Sequence, residues 1–172
     1  MRYLELRRHT DNDGDRLSES GVADAEAIGR AALHPPYAAF VSSGAARATE
    51  MLRILRRAAG QDDVAITEET VLRSAVEDRW RETAKAAGKG ASVEDMRGVD
   101  PDLVEQESRL LGAVLRRVIE GLPDGARALV VGHSPTNEAA VSGLSGRPVA
   151  PMGKGDGVLL IEDAGRFRVE PL

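Results

Sequence analysis

Three histidines occur in the 172 residues, and two of them close apolar, strand-like runs. His9 ends Tyr3-Leu4-Glu5-Leu6-Arg7-Arg8-His9, and His133 ends Ala128-Leu129-Val130-Val131-Gly132-His133. In a parallel α/β sheet, ligands bind at the carboxyl ends of the strands, so on neighbouring strands the two imidazoles would face one crevice. Arg8 stands beside the first histidine, and Arg47 follows another strand-like run, Ala38–Ser43. Guanidinium groups stay charged and match the geometry of phosphate. Two imidazoles and two guanidiniums thus describe a pocket for an anion, phosphate foremost. Taken singly, Arg8 could be a surface ion-pair partner and either histidine a satisfied core residue. The argument rests on the set and its order.

Residues 2–7 read as the first strand, followed by a polar loop over 10–16. Val22, Ala25, Ile28 and Ala32 recur with helical spacing, with Ser18 or Ser20 as N-cap. His34-Pro35-Pro36 ends that helix, because a residue before proline is pushed out of the α region, and His34 reads simply as a loop residue. A second strand over 38–42 leads to a helix over 45–59 with Ala48, Leu52, Leu55 and Ala59 on one face, and 64–66 form a short third strand. Residues 67–100 show little periodicity; they hold the single tryptophan, Trp80, and a glycine-rich turn, Ala87-Gly88-Lys89-Gly90-Ala91. A helix fits 101–121, with Pro101 in its first turn and Leu103, Leu110, Leu111, Val114, Leu115 and Val118 on its apolar stripe. The run 127–132 suits a strand buried on both faces, and a helix over 135–144 follows it. Val158–Ile161 and Phe167–Val169 pair around Asp163-Ala164-Gly165. The alternation predicts one domain over 1–172, a three-layer α/β sandwich with a mostly parallel sheet. Arg7, next to Arg8, should point to the opposite face of its strand and meet an acid.

Bulk properties remove several classes of function. The net charge of -5 and pI near 5.3 argue against a nucleic-acid partner and make a positive pocket fit a small anion. Without cysteine there is no disulfide framework, no thiolate zinc site and no thiol nucleophile. The residues after Met1 form no apolar signal region, and no run approaches membrane-spanning length, so a cytoplasmic location without a membrane partner is expected. Asp11-Asn12-Asp13-Gly14-Asp15 resembles a calcium loop, but Arg16 and Val22 occupy the positions that need glycine and glutamate. As an aspartyl-phosphate motif, its first aspartate should end the strand directly, and it does not. No metal or cofactor is expected.

Four short motifs in order give the chain a likeness. Arg8-His9-Thr10 stands at the first strand end, Leu17-Ser18-Glu19-Ser20-Gly21 before the first helix, Ser42-Ser43-Gly44-Ala45-Ala46-Arg47-Ala48 after the second strand, and Gly132-His133-Ser134 after the late apolar strand. This set resembles the histidine phosphatase superfamily, the phosphoglycerate-mutase-like enzymes. The resemblance implies that His9 attacks phosphorus to form a phosphohistidine that water then hydrolyses. It implies further that Arg8, Arg47 and His133 hold the phosphoryl oxygens without a metal. Cations around His9 would lower its pKa and keep it neutral. Ser134, at the start of a helix, could help hold the anion or serve only as an N-cap.

Three positions depart from the family pattern. Thr10 replaces a glycine, and its hydroxyl could donate to phosphate. Met51 stands where the family has a largely structural threonine. Ser74 occupies the place of the usual acid, leaving Glu77 as first candidate for general acid, ahead of Asp78, Glu68 and Glu69. Glu77 could instead be a solvated first-turn residue. The segment 67–100 is short for a mutase, so the resemblance points to a phosphatase acting on a small phosphorylated substrate or a phosphoprotein, as monomer or homodimer. The alternatives are a phosphate-binding or regulatory domain of the same fold with weak turnover, or a phosphohistidine protein phosphatase.

Overall fold

The chain begins with β1 (Arg2–Arg8), a two-residue pair β2 (Asn12–Asp13) and β3 (Arg16–Leu17), and α1 (Glu19–Ala31). Then come β4 (Ala39–Ser42), α2 (Ala46–Ala58), β5 (Ile66–Glu68), a 3-10 turn over Thr70–Arg73, α3 (Glu77–Ala87) and α4 (Val93–Val99). It closes with α5 (Pro101–Glu120), β6 (Arg127–Gly132), α6 (Thr136–Ser145), β7 (Gly157–Asp163) and β8 (Arg166–Pro171). The structure, a computed structural model, describes residues 1–172. Ser18 is the N-cap of α1, its side chain accepting from the Gly21 N–H, and Pro101 opens α5.

Six strands form one sheet in the order β5-β4-β6-β1-β7-β8. The first four are mutually parallel, and β7 and β8 form an antiparallel edge. β6, the last parallel strand in sequence, fills the place between β1 and β4. Its residues alternate between two cores. Ala128 and Val130 join Leu4, Leu6 and the helices α3 to α6, while Leu129 and Val131 join Phe40 and the helices α1 and α2. Both faces of the sheet are therefore covered, as the continuous apolar run predicts.

Several expectations shift. The third strand lies at 66–68 rather than 64–66, and the loop over 10–16 contains the small β2–β3 pair. The segment 67–100 holds two helices, which pack through Trp80, Val93 and Met96 rather than through a continuous apolar stripe. Leu110, placed by periodicity on the buried stripe of α5, is 56% exposed, because the helix turns its Leu103, Leu111 and Leu115 row inward.

Glu5, in the middle of β1, is fully buried. Its Oε1 accepts from Tyr37 Oη and Arg127 Nη1, each at 3.0 Å, and from His34 Nδ1 at 3.3 Å. Arg7, on the same face, is the expected arginine paired with an acid: its Nη2 lies 3.9 Å from Glu5 Oε2 and donates to the Ala32 carbonyl. His34 is therefore a member of this cluster and not only a loop residue. Removing one partner of a buried ionic cluster leaves the others desolvated and unpaired. Glu5→Ala should thus lower stability by about 3–5 kcal/mol in urea unfolding. A loss below about 1 kcal/mol would show that the cluster relaxes without the carboxylate.

Candidate active site

Because β6 lies between β1 and β4, three strand ends meet. The backbone ladder runs one residue beyond the strands, with the His9 N–H donating to the Gly132 carbonyl at 3.1 Å and the Ser43 N–H to the Val131 carbonyl at 3.2 Å. These bonds set the imidazoles of His9 and His133 edge to face, with ring centroids 5.2 Å apart. Both rings are buried. The two strand-end histidines stand side by side, and Arg47 from the first turn of α2 lies between them.

Hydrogen bonding assigns the protons. His9 Nδ1 is 2.7 Å from the Thr10 carbonyl, which can only accept, so the proton sits on Nδ1. The lone pair on Nε2 is thereby left free and receives a hydrogen bond from Arg47 Nε at 3.2 Å. Arg47 Nη2 lies 3.3 Å from His133 Nδ1, and a guanidinium can only donate. His133 therefore carries its proton on Nε2 and donates it to Ser43 Oγ at 2.6 Å. Asp15 takes the remaining arm of Arg47 at 2.7 Å.

Burial, more than any neighbour, pushes the His9 imidazole down to about 4 and the His133 imidazole down to about 3, with Arg47 lowering both further. The Thr10 carbonyl bond opposes the shift at His9. Both rings are thus neutral at pH 7. Unfolded histidines bind protons below about pH 6.5, which the folded ones refuse until the pH is far lower.

The remaining predicted residues lie as follows. Glu77, with Trp80, Arg73, Arg47, His133 and Ser134, lines a cavity of about 260 Å³ that His133 borders and His9 does not. Its carboxylate accepts from Arg73 Nε at 2.6 Å, so proton donation to a substrate would require it to leave that arginine. Ser74 is buried with φ of 73°, and its hydroxyl donates to Glu107, which also accepts from Trp80 Nε1. No carboxylate replaces the missing acid at that point. Thr10 departs from expectation, because its hydroxyl donates to the Gly21 carbonyl at 2.7 Å and so ties the loop to α1. Ser134 is not the N-cap of α6, a position held by Pro135; its hydroxyl donates to Glu138 at 2.5 Å. Arg8 sits on the other face of its strand end from Arg7, its Nη1 donating to the Met152 carbonyl at 2.8 Å. The carboxylates of the Asp11–Asp15 loop face cations: Asp11 meets Lys154 and Asp15 meets Arg47.

Sequence reasoning misses Arg73, Asp15 and Lys154. Arg73 precedes Ser74 in an aperiodic segment, and Lys154, which helps lower the His9 pKa, lies in the loop before β7. Neither position carries a local signal. The loop acid Asp15 is read only as a possible metal ligand.

Two measurements check the electrostatics. Proton NMR titration should find both rings neutral at pH 6, and Arg47→Gln should raise both pKa values only in part, since burial remains. Stability should fall progressively as the pH drops from about 6.5 towards 4, as the unfolded state gains protons. Either histidine titrating near its ordinary value would contradict this arrangement.

Neither a protein-family model nor a curated protein sequence matches the chain. Solved structures do. A phosphoglycerate mutase from Bacillus anthracis superposes with a TM-score of 0.76 at 20% identity, over 99% of this chain and 92% of that one. A phosphoserine phosphatase from Entamoeba histolytica, in complex with 3-phosphoglyceric acid, gives 0.75 at 13% identity over 97% and 94%. A mycobacterial glucosyl-3-phosphoglycerate phosphatase, complexed with VO3, gives 0.68 at 18% over 99% and 98%. The order of the sheet, the helices on its two faces and these superpositions agree: the chain has the fold of the phosphoglycerate-mutase-like histidine phosphatases.

Proposed function

We propose that the protein is a metal-independent histidine phosphatase that hydrolyses a phosphomonoester through a phosphohistidine on His9. The observation that supports this reading is the unprotonated Nε2 of His9, which the Nδ1–Thr10 bond leaves as an acceptor and which is held by a hydrogen bond from Arg47 Nε. In the first step Nε2 bonds to phosphorus while the bond to the leaving oxygen breaks, and that oxygen takes a proton. In the second, water attacks phosphorus, the P–N bond breaks, and phosphate and neutral His9 are released. The phosphoryl oxygens would take over the donor that Arg47 now offers His9, with His133 and the N-terminal end of α6 beside them.

The proton for the leaving oxygen is the weak part of the site. Glu77 pairs with Arg73, Asp15 with Arg47, and Ser74 carries no acid. A missing general acid costs about 10²–10⁴-fold, less for leaving groups that depart as stable anions. This favours aryl phosphates, acyl phosphates or phosphohistidine over alkyl phosphates, and keeps the phosphohistidine protein phosphatase as a second reading.

p-Nitrophenyl phosphate tests the main reading. Hydrolysis should fall roughly 10³-fold or more in His9→Ala and about 10²–10³-fold in Arg47→Ala. Wild-type activity no higher than that of His9→Ala from pH 5 to 8, with phosphate still bound, would replace the enzyme by the phosphate-binding domain. If Glu77 donates the proton, Glu77→Gln should slow an alkyl phosphate far more than the aryl one.

A further inference from the structure

Ser134 directly follows His133 and borders two cavities, the one of about 260 Å³ beside His133 and another of about 510 Å³ bordered also by Arg8, Lys85 and Lys89. Its hydroxyl lies 2.5 Å from Oε1 of Glu138, one turn further on in α6. Glu138 is 2% exposed. Its Oε1 also accepts from the Met152 N–H at 2.7 Å, whereas its Oε2 is buried without a hydrogen-bond partner. Burial raises the Glu138 pKa, against the hydrogen bonds of Met152 and Ser134 and the charge of Arg8, which lower it. A charged carboxylate would leave one oxygen desolvated and bare, so this carboxyl holds a proton more readily than an exposed one. That proton has one good place. On Oε2 it would meet no acceptor, whereas on Oε1 it points to Ser134 Oγ at the distance of a short O–H···O bond. With Glu138 protonated the bond to Ser134 therefore reverses, and the serine proton is free to turn towards the cavities. Elsewhere around the site no acid stands ready, since Glu77 is held by Arg73 and Ser74 gives its proton to Glu107.

We propose that Ser134 donates the proton to the leaving oxygen and that Glu138 resupplies it, the pair forming a relay from a buried carboxyl to the cleft. The inference rests on the proposed phosphatase reading and adds the proton donor of that reaction. In the first step the bond from phosphorus to the leaving oxygen breaks, and its electron pair stays on that oxygen, which takes the Ser134 proton. Ser134 Oγ takes the Glu138 proton in the same step, so no serine alkoxide forms. The negative charge comes to rest on the Glu138 carboxylate, where the charge of Arg8 favours it. In the second step water attacks phosphorus, and the electron pair of the P–N bond returns to His9 Nε2. One proton of that water passes through Ser134 back to Glu138. Ser134 touches the reacting atoms and is the catalytic residue; Glu138 acts through it.

Leaving-group dependence tests this on the full chain. Propyl phosphate, whose alcohol leaves poorly, is compared with p-nitrophenyl phosphate, whose phenolate needs little help. The ratio of their kcat/KM values should fall about 10²-fold in Ser134→Ala and in Glu138→Gln, and no further in the double variant, because both residues serve one relay. Ser134→Thr, which keeps the hydroxyl, should hold the ratio within about threefold of the wild type. For propyl phosphate, kcat/KM should decline as the pH rises through the titration of Glu138, and that limb should vanish in Glu138→Gln. Infrared difference spectra give a readout besides activity. The carbonyl stretch of a protonated carboxyl should persist to higher pH than that of an exposed glutamate and be lost in Glu138→Gln. A ratio unchanged in either single variant, effects that multiply in the double variant, or a fall of about tenfold or more in Glu77→Gln would overturn the relay. Absence of p-nitrophenyl phosphate turnover in the wild type would remove the phosphatase reading and the relay with it. Turnover of p-nitrophenyl phosphate without that of propyl phosphate, or with an unchanged ratio in the variants, would remove the relay alone.

Discussion

β6 pairs with β1 along one edge and with β4 along the other, and on both sides the ladder continues one residue past the strands. Gly132 and Val131 supply the carbonyls for those last bonds, to His9 and Ser43. That backbone register, rather than any side-chain contact, places the two imidazoles 5.2 Å apart and brings Ser43 within reach of His133. Arg47 can bridge the rings only because α2 starts from the neighbouring strand end. The site is a consequence of where one strand inserts.

Two polar clusters punctuate an otherwise aliphatic interior. At the strand ends, Arg47 connects His9, His133 and Asp15. Deeper along β1, Glu5 gathers Arg127, Tyr37, His34 and Arg7. The first borders a cavity and pairs one guanidinium with one carboxylate, and the histidines there are neutral because burial and the adjacent guanidinium both disfavour imidazolium. The second sets two guanidiniums, Arg127 and Arg7, around one carboxylate with no exposure. In either cluster, truncating one charged member would leave its partners desolvated and unpaired.

The acid side of the site differs from the cationic side. Ser74 stands at the position where the resemblance expects a carboxylate, yet its hydroxyl is drawn away to Glu107 on α5, which also takes the Trp80 N–H. One buried carboxylate thereby anchors the segment between β5 and α3 and fixes the wall of the histidine cavity. The same segment carries Arg73, which holds Glu77. On the proposed phosphatase reading, proton delivery from this segment would depend on breaking an ion pair or on a leaving group that needs none.

How much was legible beforehand varies with the kind of information. The strands β1, β4 and β6 and the helices α1, α2, α5 and α6 follow from local periodicity and capping, because burial on one stripe or on both faces leaves its mark in consecutive residues. His9, His133 and Arg47 were visible because each sits at the end of such an element. The helices α3 and α4 were not, since their few buried side chains, Trp80, Val93 and Met96, are too scattered to set a period. Strand order, the proton positions on the imidazoles, the diversion of Ser74 and Thr10 to other partners, and the joining of Arg8 to Lys85 and Lys89 appear only in the tertiary structure. Local pattern marks which residues end the strands; hydrogen bonds and cavities between separate segments decide what each one faces, because no local pattern encodes which other segment it will meet.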